Sequence, residues 1–373
     1  MAAKNYADMF AIIENVCKEF RIKGKMIGFE EITIGNVNFT YRVNFDTNKS
    51  YVLQRVNTNV FKEPRHIMSN IDFVTTYIRN RAKELNPDAQ ELHFYHMMDG
   101  SNYCFADDDS FWRICNHIDS VTYNTFENMD MLCSAGKAFG TFQMNLLGFD
   151  SRKLYETIPD FHNTKKRLDQ FFADVERDPF GRVSEVVEEI AYIRSVREKA
   201  SILSELTANK ELPLRVTHND TKGNNVLFDK VTNEPLGVID LDTVMPGLVA
   251  HDYGDAIRSS ASSTDEDETD LSKVYLNLEK FEAFTKGFVG VVAPVLTQKE
   301  IDTLALGAFT IAVELGVRFL NDYINGDTYF KIRREKHNLE RARCQLTLAK
   351  DMDAKQDEMQ RIVHAVVEQS KIK

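Results

Sequence analysis

Residues 217–228 of this 373-residue chain read Thr-His-Asn-Asp-Thr-Lys-Gly-Asn-Asn-Val-Leu-Phe. The segment fits the pattern His-x-Asp-x-x-x-x-Asn, and its flanks, Leu214–Thr217 and Val226–Phe228, have the composition of short strands. A turn separates the second flank from another predicted strand, Leu236–Ile239, and an Asp-Leu-Asp sequence at 240–242 follows directly. The pattern therefore predicts a polar loop, a β-hairpin, and acidic residues where the hairpin ends.

These side chains match the requirements of phosphoryl transfer by a kinase. In that reaction a carboxylate orients the attacking hydroxyl and accepts its proton, while an amide and a second carboxylate hold Mg²⁺ against the nucleotide phosphates. Asp220, Asn225 and Asp240 supply these groups in the expected order. We therefore predict Asp220 as the catalytic base and Asn225 and Asp240 as metal ligands, with ATP and Mg²⁺ as cofactors.

The same segment resembles the catalytic loop of the aminoglycoside phosphotransferase and choline kinase superfamily. The resemblance implies an α+β, protein-kinase-like fold with two lobes, a β-rich N-lobe and a mostly helical C-lobe. It also implies a structural role for His218, and hydrogen-bonded support of the loop from Asp252 and Asp255. We place Asp242 in the same supporting group.

Position 222 departs from many members of the superfamily, which have a histidine there. This chain has Lys222, as many protein kinases do. We predict that its ammonium group stabilises charge on the transferred γ-phosphate, the alternative being a solvated lysine. Protein-kinase identity is disfavoured because Asp240-Leu241-Asp242 replaces the Asp-Phe-Gly triplet.

The distribution of predicted elements divides the chain into residues 1–115, a hinge at 116–120, and residues 121–373. The first part shows β-type alternation with one helix, predicted at Arg65–Glu84, and strands that include His93–His96. The last part is mostly helical apart from the hairpin described above. This organisation predicts a β-rich nucleotide-binding lobe followed by a helical lobe with the catalytic loop.

Candidate nucleotide contacts lie in the first part. The strand–turn–strand segment Ile34–Val43 is where a phosphate-covering loop belongs, with the backbone N–H groups of Val37, Asn38 and Phe39 facing phosphate oxygens. Kinases usually place a lysine on the following strand, but this chain offers Gln54 and Arg55, which alternation puts on opposite faces. We favour Arg55 for its charge, with Gln54 as the alternative. At the hinge, the candidate contacts are Asn116 and His117.

Candidate acceptor contacts lie on a long helix predicted at about Thr297–Ile324. Glu314, Arg318 and Asp322 share one face of this largely apolar helix. Buried charges must be paired or functional, so the three form either an internal ion-pair ladder or a polar wall that binds a substrate. We predict Arg318 and Asp322, together with Asp220, as substrate-binding residues.

Longer stretches narrow the resemblance to one bacterial branch of the superfamily. The segments Ser50–Asn57, Asp255–Arg258 and Gly316–Phe330 resemble N-acetylhexosamine 1-kinases. The resemblance implies ATP- and Mg²⁺-dependent phosphorylation of the anomeric hydroxyl of GlcNAc or GalNAc. The alternatives are a kinase of another small hydroxyl substrate, such as an aminoglycoside, choline or another sugar, and a pseudokinase that binds nucleotide without transfer.

Composition limits the class of partner. There are 46 Lys and Arg against 57 Asp and Glu, a net charge of −11, which disfavours binding to nucleic acid or an anionic membrane by bulk charge. The acidic run 262–270 is predicted to be a solvated loop, with a lid or partner segment as the alternative. The five scattered cysteines indicate free thiols in a reducing cytoplasm. The expected partners are therefore a sugar and a nucleotide, with the oligomeric state left open.

Overall fold

The computed structural model describes residues 6–33, 37–85, 91–126 and 128–371. The chain divides into two compact units. Unit 1 extends to Ser120 and also contains Arg152–Ile158 and Leu241–Met245. Unit 2 contains Val121–Ser151, Pro159–Asp240 and the chain from Pro246 onward. A division of the chain into residues before and after the predicted hinge would place these two short segments in the second part, whereas they belong to unit 1.

Unit 1 contains a five-stranded antiparallel sheet with the strand order β1-β2-β3-β5-β4. Its elements are α1 (Tyr6–Glu19), β1 (Met26–Ile32), β2 (Phe39–Phe45), β3 (Ser50–Val56), α2 (Pro64–Leu85), β4 (Cys104–Phe105) and β5 (Phe111–Asn116). Alternation along β2 buries Tyr41, Val43 and Phe45 against α1 residues such as Ile13. The predicted residues Ile34–Asn36 of the phosphate-covering loop lie outside the described residues.

The predicted strand His93–His96 is reduced to a single bridge between Phe94 and Cys115. The reason is local, because the Asn116 side chain accepts a hydrogen bond from the backbone N–H of His93 at 2.7 Å. A side chain thus takes a backbone group that a regular ladder would use.

Unit 2 is mostly helical. Its elements are α3 (Met129–Asn145), α4 (Thr164–Arg177), α5 (Val187–Ala208), β6 (Arg215–Thr217), β7 (Val226–Phe228), β8 (Pro235–Val238), β9 (Met245–Gly247, whose first residue belongs to unit 1), α6 (Val249–Ser260), α7 (Leu278–Val292), α8 (Gln298–Ile324), α9 (His337–Ala354) and α10 (Gln356–Ser370). Strands β7 and β8 form the predicted antiparallel hairpin, with Val226 opposite Val238. Together with the sheet of unit 1, these elements confirm the predicted α+β class.

Helix α8 forms the centre of unit 2. Thr297 and Glu300 form a capping box at its N-terminus, as the sequence predicts. The helix is long and apolar enough to cross a membrane by composition, but 83% of its most apolar window is buried inside the protein, as in a core helix. Close packing of α6 on α8 requires glycine at position 254 of α6 and position 307 of α8. A Cβ atom at Gly254 would lie 2.5 Å from the Gly307 carbonyl oxygen.

Candidate active site

His218, at the start of the loop between β6 and β7, is fully buried and anchors this loop. Its Nε2 atom lies 2.8 Å from the carbonyl oxygen of Ile239, and its ring packs edge-on to Phe139 and Phe142. The imidazole therefore connects the start of the loop to the end of the β7–β8 hairpin. These contacts fit the structural role that the resemblance implies for His218.

Two carboxylates of α6 support the same loop. Asp252 accepts hydrogen bonds from the backbone N–H groups of His218 and Asn219 at 2.9 and 2.7 Å, and from Gln143 at 2.7 Å. Asp255 accepts one from the N–H of Thr221 at 3.0 Å. Burial raises the pKa of Asp252 despite these hydrogen bonds. Both carboxylates thus orient the backbone on either side of Asp220.

Asp220 forms an ion pair with Lys222, whose Nζ atom lies 2.7 Å from Oδ1. Desolvation opposes ionisation of Asp220, but the charge and hydrogen bond of Lys222 lower its pKa below the ordinary value. The charge of Asp220 in turn raises the pKa of Lys222. The pair therefore presents an ionised carboxylate and an ammonium group next to each other.

The hairpin pairs the backbone of Asn225 with that of the residue before Asp240. The Asn225 amide nitrogen donates to the Asp220 carbonyl oxygen at 2.8 Å and to its Oδ2 at 3.2 Å. This use of the nitrogen fixes the amide orientation. The backbone oxygen of Asn225 accepts from the N–H of Ile239, the residue before Asp240, at 2.9 Å. Asp240 has a left-handed backbone conformation, with φ of 62°.

This donor set fits Mg²⁺, which favours oxygen ligands and is often held by one or two carboxylates together with substrate phosphates. The Asn225 amide nitrogen is engaged, so its Oδ1 atom is the group that can face a cation. Across the described parts of the chain, no three His, Cys, Asp or Glu side chains form a metal cluster. A cation here would therefore depend on phosphate oxygens for most of its ligands.

A sequence model described as "Phosphotransferase enzyme family" matches residues 28–280, more than half of the chain. The chain belongs to the phosphotransferase enzyme family. The match includes the loop between β6 and β7, α6 and most of the sheet of unit 1, and it confirms the broad superfamily predicted from residues 217–228. The N-acetylhexosamine 1-kinase branch stays a prediction.

The fold is similar to those of several kinases of known structure. For the microcompartment-associated aminopropanol kinase the TM-score is 0.60 at 15% identity, over 94% of this chain and 98% of that chain. For choline kinase from Cryptosporidium parvum it is 0.56 at 15% identity, over 95% and 97%. For amicoumacin kinase in complex with AMP-PNP, Ca²⁺ and Ami it is 0.53 at 10% identity, over 96% of both chains. These similarities confirm the protein-kinase-like fold.

Unit 1 of this phosphotransferase contains a buried cation that was not among the predicted site residues. Arg113 in β5 is 1% exposed and forms an ion pair with Asp242. Its Nε atom donates to Oε1 of Gln54 at 2.9 Å, and the two residues are directly opposite in the β3–β5 ladder. The signal in the sequence is an arginine in the middle of the apolar strand Phe111–Cys115.

The residues predicted to contact nucleotide in unit 1 include exposed side chains at and just before the start of β2 and two neighbouring residues of β3. Val37 and Phe39 are exposed, and the guanidinium carbon of Arg55 lies 4.3 Å from the centroid of the Phe39 ring. Gln54, rather than Arg55, lies on the same face of the sheet as the buried Arg113 of β5. The role of Arg55 as a phosphate anchor stays a prediction. In the structure its guanidinium group contacts the Phe39 ring.

The hinge residues are engaged within unit 1. The Asn116 side chain accepts from the N–H of His93 and donates to the carbonyl oxygen of Glu91 at 3.1 Å. The backbone N–H of His117 donates to the carbonyl oxygen of Ser50 at 3.3 Å. Their predicted contacts with nucleotide therefore stay predictions, and the side-chain amide of Asn116 is occupied elsewhere.

The three polar residues on α8 have separate roles and do not form a ladder. Glu314 contacts His162 and Thr164 at 2.9 and 2.7 Å. Burial opposes its ionisation, but His162, Arg167 and Thr164 lower the pKa of Glu314 to about 2. Asp322 accepts hydrogen bonds from the backbone N–H groups of Thr328, Tyr329 and Phe330 and from the side chain of Asn338.

Arg318 is different. Its guanidinium carbon lies 5.3 Å from the centroid of the Phe161 ring and 5.5 Å from that of Phe330. Within the described ranges it makes no ion pair. Arg318 thus fits the predicted role of a ligand contact, whereas both oxygens of Asp322 are used to hold the chain segment that carries Tyr329 and Phe330.

A cavity of about 790 Å³ opens in unit 2 beside Lys222, Gly223 and Asn224. Its volume is in the range of small-molecule sites. Its other walls include Phe126, Arg258 and the acidic run at Asp265–Glu268.

The acidic run is largely paired with cationic groups. Glu266 lies 3.0 Å from Arg258, and Asp270 lies 3.1 Å from Lys273. The hydrogen bond from His337, 2.9 Å away, is the main cause of a lowered pKa at Asp267. The run is therefore a loop, as predicted, but one whose carboxylates bind to α6 and α9 as well as solvent.

Proposed function

We propose that this protein is an ATP- and Mg²⁺-dependent kinase that phosphorylates the anomeric C1 hydroxyl of an N-acetylhexosamine, GlcNAc or GalNAc. The observation that carries the kinase proposal is the geometry around Asp220, whose carboxylate is paired with Lys222 and hydrogen-bonded to Asn225. ATP use is supported by the AMP-PNP in the amicoumacin kinase structure, which shares the fold. The sugar is supported by the sequence resemblance of three segments to N-acetylhexosamine 1-kinases.

In the proposed reaction Asp220 orients the C1 hydroxyl and accepts its proton as the sugar oxygen attacks the γ-phosphorus. The bond between the γ-phosphorus and the bridging oxygen breaks, and ADP leaves with the electron pair. The ammonium group of Lys222 stabilises negative charge near the transferred phosphoryl group. We assign Asn225 and Asp240 to hold Mg²⁺, which when bound neutralises charge on the β- and γ-phosphates.

The charges around the cavity favour a neutral polyol over a polycation. A cationic acceptor such as an aminoglycoside would need unpaired carboxylates, but in the cavity wall Glu266 is paired with Arg258 and Asp267 is hydrogen-bonded to His337. The same wall carries five cationic side chains, those of Lys222, Arg258, Lys273, Lys280 and Arg334. Arg318 is well suited to donate hydrogen bonds to a carbonyl or hydroxyl oxygen. An acetamido sugar presents both kinds of oxygen. We further propose a cytoplasmic location, because the five cysteines, all within the described residues, form no disulfide.

A panel of acceptors tests this proposal. The purified protein is incubated with ATP and Mg²⁺, and ADP release is measured with GlcNAc, GalNAc, glucose, choline and an aminoglycoside. The proposal predicts release with GlcNAc or GalNAc, and none above background with choline or the aminoglycoside. Turnover of choline or the aminoglycoside alone would replace the acceptor class and keep the kinase. ATP binding without turnover of any acceptor would support the pseudokinase alternative.

The Asp220→Asn variant serves as the matched control for contaminating kinases. It keeps the size of the side chain and removes the base, so genuine activity must fall with it. Activity that is equal in both proteins would belong to a contaminant.

A further inference from the structure

Arg113 is a charged residue in the most buried strand of the unit 1 sheet. Residues on either side of it in β5, Trp112 and Ile114, are 1% and 0% exposed. A cation at such a position is costly unless it is paired and hydrogen-bonded. Its partners include the Asp242 carboxylate, the Gln54 side-chain oxygen at 2.9 Å and the Met68 sulfur at 3.9 Å. One guanidinium therefore connects β5, β3, α2 and the segment that contains Asp242.

The carboxylate of Asp242 extends this network to the connection between β1 and β2. It accepts a hydrogen bond from the side-chain nitrogen of Asn38 at 2.7 Å. The Asn38 oxygen in turn accepts from the backbone N–H of Asn57 at 3.0 Å. Asn38 is one of the residues whose backbone is predicted to face the nucleotide phosphates. The ion pair thus fixes the position of that backbone.

The same carboxylate lies on the segment Leu241–Met245, which follows Asp240 directly in the chain. This segment has a second attachment, because the side-chain nitrogen of Asn70 donates to the carbonyl oxygen of Val244 at 2.9 Å. Asp242 is 3% exposed and Asn70 is 1% exposed, so both attachments are shielded from water. The chain that leaves Asp240 is therefore held at two points.

We propose that Arg113 is the positioning residue for the metal–nucleotide complex in this protein. It holds Asp242, and through Asp242 it fixes both the Asn38 backbone and the segment that begins one residue after Asp240. The proposal rests on the proposed function, in which Asp240 holds Mg²⁺. It also accounts for the absence of a lysine on β3, because the buried cation that orders this region of a kinase comes from the neighbouring strand β5.

The geometry requires arginine rather than any cation. A guanidinium is planar and carries several N–H donors, so it can serve Gln54 and Asp242 at the same time. A lysine at 113 would keep the charge, but its N–H donors all lie on one nitrogen atom and lack the planar spread of a guanidinium. A methionine would leave the Asp242 carboxylate buried without its cation.

Calorimetric titration with ATP over a series of Mg²⁺ concentrations, combined with steady-state kinetics, tests the proposal. Because Arg113 is expected to act by positioning, Arg113→Met should raise the dissociation constant of Mg·ATP by about tenfold or more. It should also raise the Mg²⁺ concentration needed for half-maximal binding and the KM for ATP, while the KM for the sugar stays within about twofold. Arg113→Lys should recover part of the loss.

The control is Ile114→Ala, which removes a buried side chain from the adjacent position of β5 without touching the ion pair. It should lower the unfolding temperature but leave the Mg²⁺ dependence of ATP binding unchanged. A merely structural role of Arg113 would make the two variants alike in both measurements, and that result would overturn the proposal. So would wild-type binding of Mg·ATP by Arg113→Met.

The binding experiment separates this inference from the proposed acceptor. If the wild-type protein binds Mg·ATP but phosphorylates no sugar, the proposed function fails while the titrations still decide the role of Arg113. If sugar is phosphorylated and the Arg113 variants bind normally, only the inference fails. A wild-type protein that binds no nucleotide at all would overturn both.

Discussion

The Nζ atom of Lys222 lies 2.7 Å from Oδ1 of Asp220, the carboxylate to which we assign the proton of the acceptor hydroxyl. The ion pair keeps Asp220 ionised, since Lys222 lowers its pKa against the opposing effect of burial. It also places a positive charge next to the carboxylate that we assign as the base. Lys222 is half-exposed, so the pair is better suited to tune the reaction than to stabilise the fold.

Removing this charge should change the pH dependence of catalysis. Without Lys222 the pKa of Asp220 rises, so a smaller fraction is ionised in acid. We therefore expect the acid limb of the kcat/KM profile to move to higher pH in Lys222→Met, and kcat to fall at neutral pH. Lys222→Arg keeps the charge and should leave the acid limb near its wild-type position. An unshifted limb in Lys222→Met would contradict the role of this pair.

The packing of α6 on α8 gives a prediction about stability. A Cβ atom at Gly307 would overlap the carbonyl oxygen of Ala250 in α6. Gly307→Ala should therefore lower the free energy of unfolding by about 1–3 kcal/mol, measured by urea denaturation. It should also reduce kcat, because α6 carries Asp252 and Asp255.

Gly290 provides the matched control for this substitution. It lies inside α7, and a Cβ atom there would meet nothing within 4 Å. Gly290→Ala should be neutral or raise the stability by up to about 1 kcal/mol, since alanine favours the helix. Equal effects of the two substitutions would show that close packing is not the reason for glycine at 307.

The buried Glu314 predicts how stability depends on pH. Its pKa in the folded protein is about 2, below the ordinary value of 4.5, so the folded state favours the ionised form. The stabilisation is complete above the ordinary value and is lost as the pH falls toward 2. We expect Glu314→Gln to cost up to about 3 kcal/mol at pH 7. In urea denaturation the difference from wild type should shrink steadily below pH 4.5, whereas a constant difference would contradict the ion-pair account.

Asp252 is expected to affect catalysis through the position of the loop that carries Asp220. Its oxygens accept from two backbone N–H groups of the catalytic loop, so an amide at this position would place a donor against one of its donor partners. We expect Asp252→Asn to lower kcat by about 10²-fold while the KM for ATP changes little. A change in KM alone would indicate that the loop keeps its position.

The catalytic loop and its hairpin could be predicted from sequence because the information there is local. The spacing of His218, Asp220 and Asn225 between apolar flanks specifies the turn and predicts the chemistry. The capping box of α8 was predictable for the same reason, since Thr297 and Glu300 are three residues apart.

The long-range contacts were not predictable in this way. Arg113 and Asp242 are far apart in the chain, and only the folded sheet brings them together. Similarly, Asp322 shares a helix face with Arg318, but its oxygens bind the chain at 328–330, and the sequence pattern alone does not show this. Pairing of the acidic run with Arg258 and His337 also depends on how α6 and α9 pack.

The most direct test of the central claim is ³¹P NMR of the protein incubated with ATP, Mg²⁺ and GlcNAc or GalNAc, in parallel with Asp220→Asn. The account predicts a proton-coupled doublet from a phosphate on the anomeric oxygen. In Asp220→Asn its rate of appearance should fall by about 10²–10⁴-fold while ATP binding is retained. A phosphate on a different hydroxyl, or a variant with nearly wild-type turnover, would contradict the account.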